Sequence, residues 1–318
     1  MCIRDRLHTI RQPRKIIFGA NSCSNFDFPS NSLVITSKGA KSRGWLDYMK
    51  IKNYEIFDHV ESNPSMETVE TILSEFNSDF SAVIGIGGGS SLDVAKYVGY
   101  KLKKPKILIP TTFGSGSEVT RISVLKIDGK KTSFHNDELL ADIAIVDPFF
   151  IKSSSENIIK NSAIDACAQC TEAYDSMLGN NYTQFLCMKS FTILEDALLN
   201  NNYSDLAYGA MLSGLGFGNS STTLGHALSY VFSNEGYSHG HALAFTTIVS
   251  HEFNNSQFYR RFKNLVNKLN FESIHLTQNL EDAAEIILSD RKHLDYNPHP
   301  VSIYDIIYLL KKINSTDV

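Results

Sequence analysis

Gly85-Ile86-Gly87-Gly88-Gly89-Ser90-Ser91-Leu92-Asp93-Val94-Ala95-Lys96 sets a run of glycines between an apolar strand and a helical pattern. The strand, Ser81-Ala82-Val83-Ile84-Gly85-Ile86, is apolar almost throughout, as a strand covered on both faces must be. The helix opens at Ser90 or Ser91, so its first free amides and the positive end of its dipole face the end of that strand. With no side chains at Gly87, Gly88 and Gly89, an anion such as a pyrophosphate can approach the backbone closely. A tight turn using glycine for geometry alone has the same local pattern. The loop is not a Walker A motif, because no Gly-Lys-Ser/Thr follows. Nor is it the usual Rossmann fingerprint: Ser90 stands at the third glycine, and no acid follows roughly 20 residues on.

Outward from this loop the same grammar repeats. Lys106-Ile107-Leu108-Ile109-Pro110 is a second buried strand, and it runs into the hydroxyl-rich Pro110-Thr111-Thr112-Phe113-Gly114-Ser115-Gly116-Ser117-Glu118-Val119-Thr120. In open parallel sheets, ligands bind beyond the carboxyl ends of strands, so two such loops on one edge make a dinucleotide site. Ser32 to Thr36 reads as an earlier strand, and Ser65 to Asn77 as a helix with Met66, Val69, Ile72 and Phe76 on one face. Ile143 to Pro148 is the last strand-like segment. Beyond it the periodicity is helical, with glycine breaks around Gly214 to Gly218 and Gly236 to Gly240. The expected architecture is therefore an α/β domain with a parallel sheet and nucleotide-binding loops over residues 1–150. An all-α domain over 151–318 follows it. Met1 to Arg6 reads as an uninformative tail.

The pair GGGSxxDxAK and PTTxGSGSExT, in this order, resembles the iron-containing (group III) alcohol dehydrogenases, whose fold is dehydroquinate synthase-like. Ile17-Phe18-Gly19, Asn63-Pro64, Val146-Asp147-Pro148 and Asn297-Pro298 extend the resemblance over nearly the whole chain. It implies NAD or NADP as cofactor, held by Gly87, Gly88, Gly89, Ser90, Asp93, Thr111, Thr112 and Ser115, with Lys131 toward the nicotinamide. NAD-preferring relatives carry an acid after the early strand, whereas this chain has Thr36-Ser37-Lys38. A hydroxyl at Ser37 and a cation at Lys38 suit a 2′-phosphate, and a solvated turn is the alternative; the preference drawn is for NADPH.

The resemblance also implies a divalent metal, iron or zinc, held by an Asp, a His one helical turn later and two further His. Positions i and i+4 share a helix face, so both reach one ion. Asp165, His226 and His239 match; Gln169 stands where the first His is expected, offering an amide oxygen, a weaker donor than imidazole. His241, two positions beyond His239, is expected to point elsewhere, and Cys167-x-x-Cys170 to be a pair of buried thiols rather than a metal or redox site. Tyr230, one turn after His226, is a candidate to pass a proton to the substrate oxygen.

The function expected is hydride transfer between nicotinamide and a small alcohol or aldehyde, with the metal polarising its oxygen. Similarity to phosphonoacetaldehyde reductases and 3-deoxy-octulosonate oxidases extends the substrate to anionic aldehydes, with Arg121, Lys131 and His135 as candidate contacts. The rivals are a dehydroquinate synthase-type lyase or cyclase, and a catalytically silent nucleotide-binding relative. Bulk composition fits an enzyme of small molecules. The net charge of −4 and scattered Lys and Arg leave no footprint for nucleic acid, and no apolar run nears the ~20 residues that span a bilayer. Five cysteines without framework spacing suit a reducing, cytoplasmic setting, and by resemblance the chain is a homodimer.

Overall fold

The computed structural model describes residues 7–315, so the Met1 to Arg6 tail lies outside the described part. Six parallel strands make one sheet, in spatial order β1-β8-β5-β4-β2-β3. They are β1 (Lys15–Phe18), β2 (Ser32–Ile35), β3 (Tyr54–Phe57), β4 (Ala82–Gly87), β5 (Lys106–Pro110) and β8 (Ile143–Val146). β6 (Ile122–Ile127) and β7 (Lys130–His135) form a separate antiparallel hairpin. Sequence reading passed over this hairpin because β7 is polar and half-exposed and lacks an apolar alternation. Its signal was the Asp128-Gly129 turn, where both residues have positive φ (49° and 76°), as a two-residue hairpin turn demands.

Three helices accompany the sheet: α1 (Trp45–Met49), α2 (Met66–Glu75) and α3 (Gly89–Leu102). The helix read over Ser65 to Asn77 is α2, with the Ser65 side chain accepting from Thr68 N as its N-cap and Val69 and Ile72 buried. α3 begins slightly earlier than expected, at Gly89 with Gly88 as N-cap, and no side chain caps it. β4 and β5 pair in register to their last residues, Gly87 opposite Pro110, so the two glycine loops leave the sheet side by side.

After β8 no strand occurs among the described residues. The helical region comprises α4 (Glu156–Asp175), α5 (Asn181–Asn200), α6 (Tyr203–Phe217), α7 (Leu224–Asn234), α8 (His239–Phe253), α9 (Tyr259–Lys268), α10 (Leu280–Leu288), α11 (Arg291–Leu294) and α12 (Ile303–Asn314). One correction concerns Gly214 and Gly216, read as a break: both lie inside α6, and only Gly218 ends it. They are there because neighbours press close; a Cβ on Gly214 would lie 2.9 Å from Gly116 Cα, and one on Gly216 would lie 2.6 Å from Cys187 Sγ. One apolar core runs without a break from one face of the sheet (Leu33, Val83, Leu108) into α4 to α6 and α8. The two regions are thereby held against each other rather than strung on a linker.

Candidate functional site

The cradle is built from the two loops. Gly87 has φ +151°, and a Cβ there would sit 2.6 Å from Ser91 Oγ. A Cβ on Gly89 would fall 2.9 Å from Ser115 Oγ, so any side chain at that point would collide with the second loop. Thr111 N donates to Gly87 O at 2.9 Å and ties the loops together. The uncapped amides at the start of a 14-residue helix, the missing Cβ atoms and the adjoining hydroxyls of Thr112 and Ser115 fit a diphosphate. Ser37 follows β2 on the same edge of the sheet, where Ile35 pairs with Gly85; it is half-buried and Lys38 is exposed.

Asp93 has its carboxylate engaged internally. It accepts from Ser117 Oγ at 2.6 Å and Val124 N at 3.0 Å, and pairs with Lys96 Nζ at 3.1 Å. Lys96, wholly buried, also donates to the carbonyls of Ser117 and Ile122. The two side chains thus fasten the second loop and the hairpin to α3. Burial pushes the Lys96 ammonium below its ordinary pKa, against the pull of Asp93.

Across the cleft, ligand atoms of Asp165 (α4), His226 (α7) and His239 (α8) all lie within 4.8 Å of one another. His226 Nε2 and His239 Nε2 stand 3.7 and 4.0 Å from Asp165 Oδ1. What brings the helices this close is Gly240, whose absent Cβ would lie 1.9 Å from the carbonyl oxygen of Asn161 on α4. The second nitrogen of each ring is held from behind: His226 Nδ1 by Glu172 Oε2 at 2.5 Å, His239 Nδ1 by Ser229 Oγ at 3.4 Å. Because Ser229 gives its own proton to His226 O at 2.8 Å, it can only accept from His239. Both rings therefore turn Nε2 toward the cluster. A carboxylate oxygen and two imidazoles whose Nδ1 is backed in this way are a donor set that fits a divalent transition metal, which would take the place of the Nε2 proton that Glu172 and Asp165 favour on His226.

Burial drives the His239 conjugate acid down to about 4, with His226 and Lys131 adding to the fall and Asp165 opposing it. For His226 burial acts in the same direction, but Glu172 and Asp165 more than offset it and raise the ring to about 9. Gln169 turns its amide toward Asp165, Nε2 donating to Oδ1 at 3.0 Å. His241 points away from the cluster, with Nε2 2.6 Å from Glu272 O. Cys167 and Cys170 are buried free thiols.

Cradle and cluster meet in a cavity of about 230 Å³. Asp93, Ser115, Ser117, Arg121 and His135 line one side of it; Asp165, Gln169, His226, Tyr230 and His239 line the other. Tyr230 stacks on His239 with ring centroids 6.1 Å apart, and burial together with Asp290, Asp165 and Glu172 pushes its phenol far above the ordinary range. Lys131 does not line the cavity; it stands on β7, exposed. Three residues that sequence reading missed belong here. Glu172 backs His226, and His293 lies parallel to His226 at 6.1 Å with Nδ1 2.7 Å from Asp290. Lys292 reaches from α11 across the cleft to Ser133 Oγ at 3.0 Å. No spacing rule points to any of them, since each gains its role from helices far apart in sequence.

Fold and site define a class: a parallel-sheet protein with an anion cradle on one edge and a helical region carrying a candidate metal cluster opposite it. The chain belongs to the iron-containing alcohol dehydrogenase family: that family's main model matches residues 13–148, and its C-terminal model matches 159–299. Among curated relatives, it is 35% identical over 206 residues to long-chain-alcohol dehydrogenase 1 of Geobacillus thermodenitrificans, covering 55% of this chain and 52% of that protein. It is 32% identical over 217 residues to 4-hydroxybutyrate dehydrogenase of Clostridium kluyveri, covering 58% of each. The chain thus spans about half the length of these curated relatives. Its fold matches the solved sulfoacetaldehyde reductase of Bifidobacterium kashiwanohense in complex with NAD+ with a TM-score of 0.87 at 22% identity, covering 98% of this chain and all of that one. Among the described residues no helix is long and apolar enough to cross a membrane.

Proposed function

We propose that this chain is an oxidoreductase that moves a hydride between NAD(P) and the reacting carbon of a small alcohol or aldehyde. The observation that carries the reading is the single cavity in which Ser115 and Ser117 of the cradle face the Asp165, His226 and His239 cluster. When bound, a nicotinamide supplies or takes the hydride and a divalent ion, iron or zinc, supplies Lewis acidity to the substrate oxygen. Gly87, Gly88, Gly89, Ser90, Thr111, Thr112 and Ser115 position the dinucleotide, and Asp93 with Lys96 keeps the second loop in place. Asp165, His226 and His239 hold the ion. Tyr230, kept neutral by its surroundings, acts as a hydrogen-bond donor to the substrate oxygen. Ser37 and Lys38 favour NADPH, and Lys131 contributes positive charge near His239. The chain divides near residue 150 into a cofactor-holding and a metal-holding domain, and assembles as a homodimer, which light scattering tests.

The preferred substrate carries an anionic group. Arg121 and Lys292 both line the cavity; Lys292 has no ion pair among the described residues, and Arg121 shares Asp137 with Arg11. His135 beside them is driven down to about 4 by burial, then by the charges of Lys292 and Arg121, as in a positive field. A relative named for 4-hydroxybutyrate, itself a carboxylate, accords with this. The test is NADPH and NADH oxidation with succinate semialdehyde and with butanal, on protein stripped by chelator and reconstituted with ferrous iron or zinc. Metal-restored turnover that favours NADPH and the carboxylated aldehyde supports the reading. Binding of NADPH without turnover of any aldehyde refutes it.

A further inference from the structure

Gln169 is one helical turn after Asp165 and 5% exposed, at the place where the family resemblance expects an imidazole ligand. Its NH2 is used by the protein: Nε2 donates to Asp165 Oδ1 at 3.0 Å, while Oε1 is turned toward Ser213 Oγ at 3.5 Å, whose proton goes to Ala166 O at 2.8 Å. A carboxylate can only accept, so it selects the NH2 end of the amide, which has no lone pair to offer a metal. The contrast with the histidines is direct. His226 and His239 each use Nδ1 for a protein contact, and among the described residues no partner lies within hydrogen-bond distance of either Nε2.

We infer that Gln169 stays outside the coordination sphere as the donor that orients Asp165, so that the ion has three protein ligands, Asp165, His226 and His239. The inference rests on the metal-holding role proposed above. Gln169 is then a positioning residue: its amide fixes the rotamer of the carboxylate and leaves Asp165 a lone pair for the ion. A site with three protein ligands holds metal less tightly than one with four and keeps more positions for other oxygen ligands. Both consequences are readable without turnover.

The experiment is a calorimetric titration of Co(II) into the chelator-stripped full chain, with the visible absorption of the loaded protein recorded alongside. For Gln169→Ala, the expected result is Co(II) affinity about tenfold weaker, the ordinary cost of losing a hydrogen bond to a ligand, with the absorption band unchanged in position and intensity. For Gln169→His, which adds an imidazole one turn from Asp165, affinity is expected to rise tenfold or more and the band to move. A changed band in Gln169→Ala means a ligand was removed and overturns the inference. A band that moves in Gln169→His with no gain in affinity means that one ligand replaced another in a sphere already complete, and overturns it too. If Gln169→Ala does not fold, the histidine variant carries the test alone. No Co(II) binding by the unmodified chain also sinks the inference, and aldehyde reduction that persists in chelator would then show that hydride transfer itself still stands.

Discussion

Replacing Glu172 by Gln is the sharpest probe of how the metal-holding helices are assembled. Both carboxylate oxygens are buried, and five protein groups besides the His226 ring converge on them: Thr223 N and Oγ1, Gly225 N, His226 N and Ser250 Oγ, at 2.5 to 3.4 Å. Burial alone would raise this carboxyl's pKa, yet His226 and the backbone donors hold it down to about 2, so it enters the core ionised. Glutamine keeps the shape but offers one acceptor oxygen and turns an NH2 toward donors. Removing one partner of a buried pair costs about 3–5 kcal/mol, and the isosteric change belongs at the low end, about 3 kcal/mol. For a chain of this length that is a melting temperature lower by about 6 °C. With His226 no longer fixed from behind, metal affinity falls about 10- to 100-fold. Circular dichroism melting and a zinc titration by calorimetry read both. A variant that melts within about 1 °C of the parent and binds zinc equally refutes the reasoning that Glu172 locks the ligand helix.

Gly240→Ala forces a Cβ against the Asn161 carbonyl, so α8 moves off α4 at a cost of about 1–3 kcal/mol and His239 leaves Asp165. Calorimetry is expected to show weakened metal binding with NADPH binding retained, because the cradle is built elsewhere. His251 is buried and its conjugate acid is driven down to about 4 from an ordinary 6.5, by burial and against Glu172. A depressed folded-state pKa gives stability that is whole above pH 6.5 and lost as pH falls toward 4. His251→Gln should therefore lose about 3 kcal/mol less over that window, measured by urea unfolding at a series of pH values. Tyr230→Phe is expected to lower kcat about tenfold without altering the pH profile of kcat between roughly pH 6 and 9, since the phenol stays protonated throughout. A profile that changes shape would show a titrating role instead.

The sequence determined the α/β part of this protein because its signals are local. Buried strands read as unbroken apolar runs, and the glycines after β4 read as a close backbone approach, since only a residue without Cβ tolerates Ser91 and Ser115 so near. The motif order likewise carried the family, and an i, i+4 spacing on α4 carried Asp165 with its neighbour Gln169. Polar β7 had no such signature, and the hairpin emerged only from its pairing with β6.

Tertiary structure decided what the helical region does with those residues. That Glu172 stands behind His226 and that His293 and Lys292 close the cavity depend on helices more than 40 residues apart meeting at chosen rotations, whereas spacing on α4 put Gln169 beside Asp165 without deciding which end of its amide it presents. Helical periodicity tells which face of a helix is apolar, but not which other helix it meets or at what height. Gly240 shows the limit in one residue: in sequence it marks a break, and in the fold it is the missing Cβ that lets α8 bring His239 up to Asp165.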